Sequence, residues 1–127
     1  MWKYWGKDGK IYMQEDRSTS PSDLFGGVTG IEASVWQLDP VTRGTTRIAE
    51  VDRSVIAPLD STDDCIGSIG CWETSGVLDV TDLFDALPGE RFLIATVQAH
   101  GIEDGPIGGN AFLDEGGQLV LLSYNPN

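Results

Sequence analysis

Apolar residues recur along the chain in short runs broken by glycine, proline and acids. This is the period-two or continuous pattern of strands, not the 3.6-residue stripe of helices. Lys7-Asp8-Gly9-Lys10 is an Asp-Gly turn, and Ile11-Tyr12-Met13-Gln14-Glu15-Asp16 after it predicts a strand ending in acids. Ala33–Leu38 alternates and stops at Asp39-Pro40, where the residue before proline is pushed to an extended conformation. Val41–Gly44 then turns the chain into Thr45–Val51, completing a hairpin. Glu73–Val80 predicts the next strand, β-branched toward its end. Thr81–Leu87 predicts one or two helical turns with Thr81 as N-cap, stopped at Pro88-Gly89. Phe92–His100 is apolar on both faces and predicts a central strand, and Gln118–Tyr124 a second buried one.

The stretches between these runs read as loops. Arg17–Gly30 is rich in Ser, Thr, Pro and Gly, with Leu24-Phe25 as its apolar anchor. Asp52–Gly70 is a long irregular connection carrying Asp60, Asp63 and Asp64, and Gly101–Gly117 is glycine-rich and acidic. The strands form two groups of three, at 10–52 and 72–124. That predicts an all-β, antiparallel chain in a single domain, 1–127, equivalent to about two blades of a β-propeller, with a small β-sandwich as the alternative. The halves show no sequence self-similarity.

Composition narrows the function classes. At 127 residues the chain accommodates one domain with a real core. Its 40% hydrophobic and 22% charged content is that of a folded protein. The formal net charge of −12 argues against nucleic acid, whose phosphates require a basic face, and against anionic membrane surfaces. It also repels a phosphate ester unless bound cations reverse the local field. No apolar run reaches the roughly 18 residues needed to span a bilayer, so no membrane insertion is expected. The segment Met1–Asp8 lacks the apolar core and cleavage site of a signal peptide.

Cys65 and Cys71 bracket Ile66-Gly67-Ser68-Ile69-Gly70. Two free thiols and a disulfide closing the short loop are both compatible with that spacing, the latter contributing about 2 kcal/mol. The spacing is not that of a zinc knuckle.

Five stretches together resemble one family. They are Gly9–Arg17, Glu32–Pro40, Trp72-Glu73-Thr74-Ser75-Gly76 running on to Val80, Val97-Gln98-Ala99-His100, and Glu115-Gly116-Gly117-Gln118-Leu119. In this order they are similar to the C-terminal portion of the PhoX-type alkaline phosphatases and esterase-like phytases of bacteria, in a cyanobacterial-like form. The resemblance implies a β-propeller whose central channel holds Ca²⁺ and Fe³⁺, acting on phosphate monoesters. It implies Glu15 and Glu73 as metal ligands, with His100 and Asp16 facing the same channel or lying behind the ligands. It also implies a periplasmic or extracellular location. Full members are several times longer, and the family's cysteine iron ligand has no counterpart here, so an isolated chain is expected to be inactive.

The residues carry bland readings beside these. Glu15-Asp16 offers hard oxygen ligands suited to Ca²⁺ or iron, or equally a solvated turn with Arg17. Glu73, between Trp72 and an apolar strand, needs a cation or a donor to offset its burial. His100 fits a structural donor as well as a channel residue. Asp60–Asp64 lacks the glycine and distal glutamate of an EF-hand, and it reads, like Glu103-Asp104 and Asp114-Glu115, as turn chemistry. Long strands with few charges to blunt their edges suggest a non-enzymatic alternative, a subunit that pairs with copies of itself or with a larger protein partner.

Overall fold

The computed structural model describes residues 2–16, 30–54, 61–66, 68–105 and 116–125, with the side chains of Trp2 and Ser61 left aside. Among the described residues there are nine strands: β1 (Trp2–Trp5), β2 (Ile11–Gln14), β3 (Ser34–Leu38), β4 (Thr45–Glu50), β5 (Ser61–Asp63), β6 (Trp72–Asp79), β7 (Arg91–Ala99), β8 (Ile102–Asp104) and β9 (Gly116–Tyr124). All pairings are antiparallel. The chain is all-β.

β1 to β4 form a four-stranded meander in chain order, β6-β7-β9 a three-stranded sheet, and β5-β8 a two-stranded one. The first group therefore has four strands where the pattern predicts three. The extra strand is Trp2–Trp5, whose large side chains sit at a chain start with no alternation to mark it. The Asp-Gly turn is present: Gly6 N–H donates to Lys10 O at 2.8 Å, and Gly9 has φ +75°, the left-handed conformation that the turn demands.

The meander and the three-stranded sheet face each other across one core. Tyr12, Val77 and Leu93 form its centre, with Tyr4, Ile48, Leu122 and Tyr124 packed around them. Face-to-face sheets of this kind occur in a two-layer sandwich and equally between neighbouring propeller blades. At one end the sheets come within backbone reach, where Glu15 O accepts from Thr74 N at 3.1 Å and from Thr74 Oγ1 at 3.0 Å. Toward the other side a polar cluster bridges them. Tyr12 O–H donates to Asp8 Oδ2 and lies 2.7 Å from the Tyr124 hydroxyl, to which Gln37 Nε2 donates at 3.0 Å. Burial holds both phenols up from their ordinary ionisation; the bonds to Tyr124 and Asp8 add to the rise at Tyr12, whereas the Tyr12 bond opposes it at Tyr124.

Two bulges set which residues face inward. At Gly76, φ +66°, β6 carries one residue more than β7 opposes, so Ser75 pairs with Thr96 while Val77 pairs with Ala95. The shift lets Thr74, Val77 and Asp79 all be buried on one strand. On β4 the register skips Ile48, which joins the core.

Several expectations are corrected here. Gln118–Tyr124 is not a buried strand: β9 is the edge of its sheet, with Leu119 and Leu121 exposed, because nothing described covers its outer side. By contrast β7 is central, as its two apolar faces require. Two of the irregular stretches, Asp52–Gly70 and Gly101–Gly117, contain the short strands β5 and β8, which pair with one another. The helical segment shrinks to one 3₁₀ turn, Thr81–Leu83, and Thr81 is inside it. Asp79 Oδ1 accepts from Thr81 N and Oγ1 instead, so the acid before the turn holds its start. Of the two states left open for Cys65 and Cys71 the disulfide is the one present, their Cα atoms 6.1 Å apart. Leu24-Phe25, Asp60, Asp114 and Glu115 lie outside the described residues.

The β3-β4 loop shows how a single acid fixes a turn. Asp39 Oδ1 accepts from Val41 N at 2.8 Å, and its Oδ2 lies 2.6 Å from Lys10 Nζ. The Lys10 bond, then the Val41 amide, hold the Asp39 carboxyl down to about 2. A depressed acid stabilises the fold above its unfolded value and loses that contribution as pH falls. Asp39→Asn is therefore expected to melt modestly below the parent at pH 7. That gap should close as pH drops from 3.8 to about 2, followed by thermal melts at stepped pH.

Candidate functional site

Three stretches far apart in sequence converge at the end of the sheets where Glu15 O meets Thr74. Gln14 ends β2, leaving Glu15 and Asp16 to leave the sheet. Glu73 is the second residue of β6, directly opposite Gln98 on β7. His100 lies two residues beyond Gln98, so a strand's period of two brings it to Glu73's face as the diagonal neighbour. The result is His100 Nε2 at 3.6 Å from Glu73 Oε2.

Glu73 is 18% exposed and His100 32%. Burial raises the Glu73 carboxyl above its ordinary value, the Asp16 carboxylate beside it adds to the rise, and His100 opposes it. Asp16 also hydrogen-bonds the Glu73 side chain. Two carboxyl groups and an imidazole thus share one partly desolvated corner. Such a group can hold a proton between the acids, hydrogen-bond a donor, or contribute oxygens to a cation.

The structure brings together Asp16, Glu73 and His100, three of the residues named from sequence. It uses the fourth, Glu15, differently: Glu15 Oε2 accepts from Ser34 N at 2.9 Å, and its backbone links β3 to β6. Glu15's carboxylate is therefore a sheet fastener. Among the described residues no group of three or more His, Cys, Asp and Glu side chains has the geometry to hold a metal ion. Asp16 and Glu73 are hard donors of the right kind, but they fall short of the six to eight oxygens Ca²⁺ takes. The residues present do not by themselves fit the Ca²⁺ and Fe³⁺ that the resemblance implies.

The acidic loop resolves as structure. Asp63 Oδ1 accepts from Cys65 N at 2.8 Å and its Oδ2 pairs with Arg53 at 3.2 Å, while Glu103 and Asp104 lie exposed on β8. Arg53 is the residue the sequence does not mark. Its guanidinium reaches Glu32 at 3.6 Å as well as Asp63, donates to Cys65 O at 2.8 Å and to Ser68 O, and lies 5.3 Å from the Trp72 ring centroid. Glu32 in turn accepts from Gly70 N at 2.9 Å. One cation thus ties the disulfide loop to the strand that carries Glu73. No local spacing announces it, because its partners lie on both sides of a loop outside the regular pattern.

Compared with protein-family models, curated proteins and solved structures, the chain has no match in any of the three.

Proposed function

We propose that the chain is one part of a larger all-β assembly, a non-enzymatic docking or assembly subunit that pairs through sheet edge and face. The observation that carries this reading is the three-stranded sheet, whose edge strand β9 is paired on one side only among the described residues and presents Leu119 at 69% and Leu121 at 50% exposure. Isolated exposed leucines are ordinary, but a row of them along an edge strand is a template for another chain. Pairing could close a homo-oligomer or join a larger protein partner.

The convergence of Asp16, Glu73 and His100 favours a second reading, that the chain is a partial PhoX-like protein related to metal-dependent phosphomonoesterases. In that reading the two facing sheets are propeller blades, and Glu73 and Asp16 form one wall of a cation site completed by whatever closes the ring. Hydrolysis of p-nitrophenyl phosphate with added Ca²⁺ and Fe³⁺ separates the two. The assembly reading expects no turnover from the isolated chain. Turnover abolished by chelator and lost at least tenfold in Glu73→Gln supports the phosphatase reading and overturns the first.

A further inference from the structure

The outer side of the three-stranded sheet is organised as a cross-strand row. Leu78 on β6 pairs with Ile94 on β7, and Ile94 pairs with Leu121 on β9. Leu119 lies two residues along from Leu121, on the same face. At the end of the row Phe84 stacks on Phe92 with ring centroids 4.5 Å apart, and Phe84 itself is 41% exposed. The apolar surface therefore runs from the 3₁₀ turn across the sheet to the edge of β9 that no described strand pairs.

Its charges are mostly negative, the exception being Lys7, which pairs with Asp82 beside the 3₁₀ turn. No lysine or arginine occupies an outward position of the three strands, since Arg91 turns inward to Asp8 at 3.6 Å. Carboxylates lie at the phenylalanine end: Asp82 and Asp85 are exposed, and Glu90 reaches across to Ser123 Oγ at 3.1 Å.

We propose that this face and the β9 edge dock a separate protein that presents an apolar strand flanked by lysines and arginines. Charge selects the occupant. A second copy would bring another net −12 and the same carboxylates to the same rim, whereas a cationic strand is steered toward it and neutralises it. The outward leucines receive the partner's apolar side chains, and the free edge of β9 receives its backbone. This names the partner chemistry of the assembly reading and rests on it.

The test uses two short acetylated peptides, one alternating valine with lysine, the other valine with glutamate, titrated into isotope-labelled protein. The lysine peptide is expected to shift backbone amides of β9 and of the Leu78–Ile94–Leu121 row, with affinity that falls as salt rises. The glutamate peptide should leave them unmoved. Leu121→Lys is expected to weaken the lysine peptide about tenfold, and Leu119→Lys gives the same readout at a residue exposed enough to tolerate it. Near-ultraviolet circular dichroism checks that both variants fold. Binding that ignores both variants, or shifts spread over acids away from this sheet, overturns the proposal. A parent that sediments as an oligomer and becomes monomeric in Leu121→Lys overturns it differently: the second copy is then the occupant and the assembly reading survives. A monomeric parent that binds neither peptide overturns both.

Discussion

Leu93→Ala is expected to cost about 2–5 kcal/mol of stability, the range for emptying a buried leucine site. Leu93 is 0% exposed at the middle of the central strand, with Asp79 and Leu122 as its cross-strand neighbours. It touches the core from the side opposite Tyr12, so its removal leaves a void between two sheets whose positions are fixed by the Thr74–Glu15 bonds at one end and the Tyr12–Tyr124–Gln37 bonds toward the other. A site that cannot collapse loses both the transfer energy and the contacts lining the cavity. Urea unfolding should show a lower midpoint at unchanged slope, since the surface exposed on unfolding is nearly the same. The comparison is Leu119→Ala, expected to change stability by about 0.5 kcal/mol or less, because that side chain is 69% exposed. Equal losses at the two positions would mean that the outer face is as well covered as the core.

Arg53→Met should be the second severe change, at about 2–4 kcal/mol. Methionine keeps the apolar stem against Trp72 but removes the cation from Glu32 and Asp63, which are 16% and 19% exposed. It also strips donors from the carbonyls of Cys65 and Ser68. The loss comes chiefly from the two carboxylates left without a counter-charge, so adding Asp63→Asn to Arg53→Met should restore part of it. Arg53→Lys should recover little, because one ammonium cannot serve four acceptors set around a planar fork. Denaturant midpoints of the three variants check the order; a fully recovered Arg53→Lys would show that charge alone matters.

The strands were largely legible because each apolar run carries its own periodicity and its own stop, as at Asp39-Pro40. What escaped was set by contacts between distant segments. Trp2–Trp5 is a strand because Ile11–Gln14 folds back on it, a partnership no residue within the four announces. β5 and β8 exist only as each other's partner. Gln118–Tyr124 has the composition of a buried strand, yet burial depends on what lies beyond it, which composition does not encode. Gly76 was visible as a glycine, but that it exchanges inward for outward positions halfway along β6 depends on the register with β7.

The candidate corner was legible in part. Glu73 and His100 share a face by strand arithmetic once their strands are paired, and Asp16 reaches them because β2 ends where β6 begins its inward run. The resemblance made Glu15 a ligand and set Asp16 in the channel or behind the ligands, but nothing in the residues themselves ranks two neighbouring acids at a strand end. The structure separates them, giving one to the Ser34 amide and the other to Glu73.

The hydroxyl pair of Tyr12 and Tyr124 joins positions 112 residues apart. During synthesis the first sheet leaves the ribosome with its inner face bare; Val77 and Leu93 begin to cover it once β6 and β7 are made, and the cover is complete only with the strand carrying Tyr124. Local hairpins can close early, but the shared core is a late event, governed by the slow closure of a very long loop. Nascent chains of this protein are thus most exposed to wrong partners in the interval between making the first sheet and the last strand, which is where a chaperone would find its longest-lived target.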